Sequence, residues 1–134
     1  MLPSPDSLIP HRRPQLLLDR LVAFDGGTLT AEGDFDASGW PATVPRMQLV
    51  EGLAQAMACL GSLHGETGAA VLLGVPAAEF PAAASPPCTL TFTVEVVERR
   101  LKITEARGEV HHRGALVCRA RLTAALFDPP AEGA

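Results

Sequence analysis

The chain has 134 residues, of which 47% are hydrophobic and 19% are charged, and its formal net charge is −4. This length is typical of one domain with a single buried core. The negative balance argues against a nucleic-acid or anionic-membrane partner, because lysine and arginine concentrate only in "HRR" (11–13) and "ERRLK" (98–102).

The N-terminal stretch "MLPSPDSLIP" is too polar and proline-rich for a signal peptide. No apolar run reaches the roughly eighteen residues of a membrane-spanning helix. The three cysteines, Cys59, Cys88 and Cys118, have neither metal-binding spacing nor a pairing pattern. We therefore expect a cytoplasmic protein with one domain over residues 1–134, an ordered core over about 8–127 and a frayed tail at 128–134.

The N-terminal half predicts a hairpin followed by a helix. The hairpin consists of "LLLDRLVAFD" (16–25), a turn at Gly26 and Gly27, and "TLTAEGDFD" (28–36). The helix is "QLVEGLAQAMACLGSLHG" (48–65), and "AAVLLGVPAAEF" (69–80) after it predicts a less regular strand that Pro76 interrupts.

The C-terminal half predicts three consecutive antiparallel strands. "CTLTFTVEVVE" (88–98) alternates apolar and polar residues, as "ALVCRARLTAALF" (115–127) does. Between them, "LKITEARGEVHH" (101–112) joins the last strand through the short turn "RG" (113–114). One helix that is apolar almost all round cannot lie on a surface, so the pattern predicts an α+β fold in which an antiparallel sheet wraps the helix.

A narrow polar stripe runs along this helix. Steps of three and four place Glu51, Gln55 and Cys59 on one side, opposite Leu53 and the other leucines. Glu51 either reaches water or faces a cleft or subunit interface. If Glu51 is buried, desolvation is expected to raise its pKa above about 4.3, which suits a general acid or base.

Two motifs resemble the 3-hydroxyacyl-acyl-carrier-protein dehydratases. "LIPHRRPQLLLDRL" (8–21) is similar to their N-terminal signature, and "PRMQLVEGLAQAM" (45–57) is similar to their central helix. The chain also resembles a more divergent branch, the dehydratases of aryl-polyene pathways, which combine a "PHR" start with an "Asp…Gly…Pro" loop like "DASGWP" (36–41). The resemblance covers about residues 8–127 and implies the hotdog fold, with two protomers joined edge to edge and active sites at the dimer interface.

The resemblance also implies a reaction, the dehydration of a 3-hydroxyacyl thioester on acyl carrier protein or coenzyme A. A loop histidine removes the C2 proton, a helix carboxylate helps the 3-hydroxyl leave, and backbone amides polarise the carbonyl. Glu51 matches the carboxylate. The motif positions Gly39, Trp40, Pro45 and Gln55 are the implied substrate-binding residues, and the family implies no cofactor or metal.

The chain departs from the family at two positions. The family has Gly-His-Phe-Pro where this loop reads "DASGWPATVPRM" (36–47), so either Gly39 or Ala37 takes the position of the histidine. Asp36 is the best-placed substitute for pairing with Glu51. Arg46 replaces the glycine that opens the helix; it either narrows the carbonyl site or binds a phosphate or carboxylate group.

The four histidines carry more ordinary interpretations. His11 belongs to a motif that looks structural in the family, where it anchors the N-terminal segment beside the helix, and a catalytic role is the alternative. His64 is expected to cap the helix C-terminus. His111 and His112 are adjacent strand residues that point to opposite faces and cannot share a metal.

Three functions remain open. A dehydratase with altered machinery is the leading hypothesis, and a hotdog thioesterase that uses Glu51 alone is the second. The third is a silent subunit that binds acyl chains or completes a heterodimer with a related hotdog protein, instead of a homodimer. An acidic carrier protein would need a basic rim, for which the candidates include Arg99, Arg100 and Lys102.

Overall fold

The structure is a computed structural model that describes residues 2–66 and 69–127. A 3-10 turn at Pro5–Ser7 comes first. The elements that follow are β1 (Arg20–Asp25), β2 (Thr28–Phe35), α1 (Arg46–Leu63), β3 (Ala69–Glu79), β4 (Cys88–Arg100), β5 (Ile103–His112) and β6 (Ala115–Phe127). The predicted tail at 128–134 lies outside the described residues.

The six strands form one antiparallel sheet in the order β1-β2-β4-β5-β6-β3. The turn between β5 and β6 uses Arg113 and Gly114, both with positive φ, as the short "RG" loop requires. Strand β3 pairs only with β6 among the described strands, and its register is irregular around Gly74, where Pro76 follows. One helix against one antiparallel sheet confirms the α+β class and the hotdog arrangement.

The core lies between α1 and the middle of the sheet. On β4, Leu90, Phe92 and Val94 are fully buried and alternate with partly or fully exposed residues, as the period of two predicted. Leu53 and Leu60 of α1 are buried against this face. The outward Arg119 and Arg121 of β6 are exposed and pair with glutamates on neighbouring strands. The period of two therefore located the buried face of β4 correctly.

The helix begins and ends two residues earlier than predicted, at 46–63 instead of 48–65. Pro45 occupies the N-cap with φ −59° and ψ 142°, so the helix begins at the next residue. At the other end, Gly65 has φ +81°, a left-handed conformation that stops the helix. His64 is the C-cap, and its ring Nε2 reaches the carbonyl oxygen of Gly26 instead of the helix carbonyls.

The segment that precedes β1 is buried without being a strand. The prediction began this strand at residue 16, whereas β1 begins at Arg20. Leu16, Leu17 and Leu18 are at most 5% exposed, and the Leu17 N–H donates to the side-chain oxygen of Gln55 on α1 (2.8 Å). The segment crosses β2 at Gly33, where an added Cβ would lie 2.2 Å from the Leu17 oxygen. Tertiary packing therefore overrides the local strand preference.

Replacing Gly52 by Ala is expected to lower the free energy of unfolding by about 2 kcal/mol, because overpacking outweighs the gain in helix propensity. A Cβ at this position would lie 2.3 Å from the ring of Phe92, which is fully buried. Urea denaturation measures the change.

Gly61→Ala on the same helix is the matched control. Among the described residues, a Cβ there would meet only the carboxylate end of the Glu66 side chain, which can shift by rotation about its side-chain bonds more easily than a packed ring can. We expect that variant to be neutral or more stable by up to about 1 kcal/mol. Equal destabilisation of both variants would contradict the tight helix-to-sheet packing at Gly52.

Candidate active site

A cavity of about 290 Å³ lies between the N-terminal segment, α1 and strands β3 to β6. Its polar wall consists of His11, Glu51 and Gln55, and Arg99 and Glu66 also line it. The remaining wall is largely apolar and includes Leu8, Met57, Leu60, Leu72 and Val96. A few converging polar groups on an apolar wall are typical of a small-molecule site.

Glu51 lies in the second turn of α1 and faces this cavity. Its Oε1 accepts a hydrogen bond from Gln55 Nε2 (3.1 Å) and lies 3.6 Å from His11 Nε2. The side chain is 44% exposed. One protomer therefore does not bury Glu51 as the desolvation argument required. The cleft that the polar stripe predicted is present.

Gln55, the buried polar residue of the core in the described part of the chain, joins three segments through hydrogen bonds. It is 1% exposed. Its oxygen accepts from the Leu17 N–H, while its nitrogen donates to the Gln15 carbonyl (2.7 Å) and to Glu51. Buried polar groups require such partners. Gln55 therefore holds the N-terminal segment against the helix and orients the Glu51 carboxylate.

Sequence reasoning did not place His11 beside Glu51. The N-terminal signature gives no distance to the helix, because the two motifs are far apart along the chain and no local period connects them. The imidazole side chain is 34% exposed and faces the cavity, where it meets the carboxylate.

Asp36, the predicted substitute for the loop histidine, lies elsewhere in the protomer. It lines a second, more open cavity with Cys88 and His112, and its Oδ1 accepts from the Gly39 N–H (2.6 Å) and from Ser38. Within one protomer the structure therefore does not bring Asp36 to Glu51. A pairing across two protomers stays a prediction.

Asp34, a nearby carboxylate at the end of β2, forms an ion pair with Arg20. Hydrogen bonds from the Arg20 guanidinium and the Thr89 hydroxyl lower the pKa of Asp34 to about 2. A carboxylate that is ionised at all ordinary pH values is a poor proton shuttle near neutrality.

The other predicted substrate-binding positions lie outside the Glu51 cavity. Pro45 is the N-cap of α1, and Trp40 packs edge-on against Phe35 with 4.9 Å between ring centroids. The Arg46 guanidinium lies 5.0 Å from the centre of the Phe80 ring, a cation–π geometry. Of the predicted substrate-binding residues, Gln55 alone lines the cavity. Roles for Gly39, Trp40, Pro45 and Arg46 remain predictions.

The predicted basic rim lies at the turn between β4 and β5. Arg99 lines the cavity and forms an ion pair with Glu66. Arg100 is 80% exposed and pairs with Glu98 (2.6 Å). Lys102 is exposed in the turn itself. The three side chains are thus close in sequence, but only Arg99 borders the cavity.

Metal and thiol chemistry find no geometric support in the part of the chain that the structure describes. No group of three or more histidine, cysteine, aspartate or glutamate residues there is arranged to hold a metal ion. Burial raises the pKa of Cys59 to about 12 and that of Cys118 to about 11, so both thiols stay neutral.

Among the helices in residues 2–66 and 69–127, none is long and apolar enough to cross a membrane.

A sheet around one helix, with a carboxylate on that helix facing a cavity, defines a hotdog protein with a candidate acid–base site. The family model of the ApeP dehydratase matches residues 3–132. A 3-hydroxyacyl-[acyl-carrier-protein] dehydratase FabZ from Erythrobacter litoralis is 32% identical over 136 aligned residues, which cover 92% of this chain and 90% of the relative. The chain therefore belongs to the ApeP-like dehydratase family, which confirms the predicted resemblance and dehydratase class.

Solved structures agree on the fold. The dehydratase heterocomplex ApeI:P from Xenorhabdus doucetiae matches with a TM-score of 0.85 and 18% identity, covering 98% of this chain and 94% of that one. A hypothetical thioesterase with coenzyme A from Streptococcus pneumoniae matches with a TM-score of 0.67 and 16% identity, covering 84% of this chain and 88% of that one. Similarity at these identities shows the fold alone.

Proposed function

We propose that this protein dehydrates 3-hydroxyacyl thioesters, bound to acyl carrier protein or coenzyme A, with Glu51 as the central acid–base group. The observation that carries the proposal is the Glu51 carboxylate at the polar wall of a largely apolar cavity. An apolar wall suits an acyl chain, and a carboxylate held by Gln55 suits proton transfer to the leaving hydroxyl. The three unpaired cysteines fit a reducing compartment such as the cytoplasm.

The working unit in this proposal is a dimer formed through the edge strand β3. Val71, Leu72 and Leu73 on this strand are 38–53% exposed. An exposed apolar edge strand is a surface that proteins normally cover. Leu72 also lines the cavity, so a second hotdog subunit at this edge would narrow the opening of the site. The partner is a second copy of the chain or a related subunit.

The reaction itself is tested in the hydration direction. Purified protein is given a trans-2-enoyl thioester on carrier protein or coenzyme A, and both water addition and free thiol are followed. Hydration without thiol release is the expected result. Thiol release would instead identify a thioesterase, and absence of both activities over a range of chain lengths would identify a silent subunit.

Reversing the charge of Arg100 to Glu is expected to weaken carrier binding by about tenfold at low salt, with a smaller effect at high salt. Turnover of a small pantetheine thioester is expected to stay unchanged, because Arg100 is exposed and does not line the cavity. Binding titrations with the acidic carrier at two ionic strengths measure the effect.

Arg107→Glu on the outer face of the sheet is the matched control, since Arg107 is also exposed and paired with a glutamate. Equal carrier affinity for the wild type and the Arg100 variant would rule out the basic rim as the docking surface.

A further inference from the structure

The His11 imidazole has a polar environment that its role as an anchor does not explain. Within the described residues, its ring nitrogens have one polar side-chain neighbour, Glu51, at 3.6 Å from Nε2. The other nitrogen, Nδ1, is buried and has no hydrogen-bond partner among residues 2–66 and 69–127. A buried polar atom without a partner is unfavourable, and its presence in a native protein calls for a functional explanation.

Other side chains perform the anchoring. Arg12 Nη1 donates to the carbonyl oxygens of Ile9 (2.9 Å) and His11 (2.8 Å). Arg13 donates to the Leu16 carbonyl, and Gln55 bonds the backbone of Gln15 and Leu17. The two guanidinium groups thus stabilise the segment's own backbone, Gln55 holds the segment against α1, and the imidazole is left facing the cavity.

We propose that His11 is the second acid–base group of this site and acts together with Glu51 of the same protomer. This inference rests on the proposed dehydratase function and adds to it a residue and its role. The 3.6 Å between Nε2 and Oε1 exceeds a normal hydrogen bond, and it places both atoms within reach of groups on two adjacent carbons of one substrate.

The step begins with the transferable proton of the His11–Glu51 pair on the Glu51 carboxyl, and it balances as follows from that state. Neutral His11 Nε2 takes the C2 proton of the substrate, and the C–H electron pair becomes the second bond between C2 and C3. The C3–O bond breaks with its electrons going to oxygen, and the protonated Glu51 carboxyl gives its proton to form water. The proton on Nε2 then passes to the Glu51 carboxylate, which restores the starting state.

The remaining charged groups of the cavity balance one another. Arg99 on β4 and Glu66 after α1 form an ion pair with each other. Glu51 is the charged cavity residue that contacts His11, with its Oε1 3.6 Å from the ring Nε2. A carboxylate beside an imidazole stabilises the imidazolium that the step forms.

The test uses His11→Gln, which keeps a polar side chain of similar length and removes proton transfer. We expect kcat for enoyl hydration to fall by about 10²–10³-fold while KM changes by less than about threefold. His111→Gln is the matched control, because His111 also lies beside a glutamate, Glu109 at 3.7 Å, with a similar exposure of 33%. That variant is expected to keep wild-type kcat.

Rescue of His11→Ala by added imidazole is a second measurement. Free imidazole would not restore activity if His11 only anchored the N-terminal segment. Added imidazole is expected to raise the hydration rate of this variant by about tenfold, since the site is partly open and the small base can take the position of the missing side chain. The unfolding midpoints of all variants are measured so that a fold defect is recognised.

The outcomes separate the two proposals. Full activity of a folded His11→Gln protein, or loss of activity in His11→Ala that imidazole does not restore, would overturn the role of His11 and leave the dehydratase function standing. A wild-type protein without hydration activity would overturn both.

Discussion

Glu51→Gln is expected to lower kcat for enoyl-thioester hydration by about 10²–10⁴-fold, the usual contribution of a positioned acid or base. The amide preserves the size of the side chain and can still accept from Gln55, but it cannot exchange a proton. Steady-state kinetics on a coenzyme A thioester provide the measurement, with protein folding checked by circular dichroism.

Glu109→Gln controls for the loss of a carboxylate beside a histidine, because Glu109 forms the comparable pair with His111 outside the cavity. It is expected to leave kcat unchanged. If Glu51→Gln retained the wild-type rate, the acid–base role of this carboxylate would be disproved, whatever the identity of the second group.

Gln55→Leu is expected to lower the free energy of unfolding by about 3 kcal/mol, because it leaves the buried Leu17 N–H without its acceptor. Leucine fills a similar volume, so the loss reports on hydrogen bonding more than on a cavity. The same change frees the N-terminal segment that carries His11, and we expect hydration activity to fall with it. Guanidinium denaturation and the hydration assay measure the two effects.

Gln48→Leu on the same helix is the control, since the Gln48 side chain is only half-buried. A Gln55→Leu protein with wild-type stability would show that the hydrogen bonds across α1 and the N-terminal segment are unimportant. Lost stability with unchanged activity would show that the segment keeps its place without Gln55.

The larger part of the fold followed from local patterns. Alternation of apolar and polar residues on β4 and β6 depends on the two faces of a strand, which every stretch of extended chain possesses. The apolar helix with its single carboxylate was recognisable from the helical repeat of 3.6 residues, and Glu51 lines the cavity that the polar stripe predicted. The family resemblance rested on two motifs and was confirmed over residues 3–132.

The candidate site followed only in part. Trp40 and Arg46 were assigned to substrate by their motif positions, but in the protomer they pack against Phe35 and Phe80. Asp36 was assigned as the best-placed carboxylate of the altered loop, and in the protomer its carboxylate accepts from the Gly39 N–H. Motif position gives no direction to a side chain: ring contacts orient Trp40 and Arg46 in the protomer, a local hydrogen bond orients Asp36, and the roles assigned to all three remain predictions.

The sequence by itself determined the strand faces, the helix and the carboxylate on it, because these depend on periods of two and 3.6 residues within one segment. Tertiary structure alone decided that His11 meets Glu51. That approach depends on a close crossing at Gly33 and on hydrogen bonds from Gln55 to a distant stretch of backbone. Contacts between segments far apart in the chain are set by packing and by the pairing of buried polar groups, and no local pattern records them.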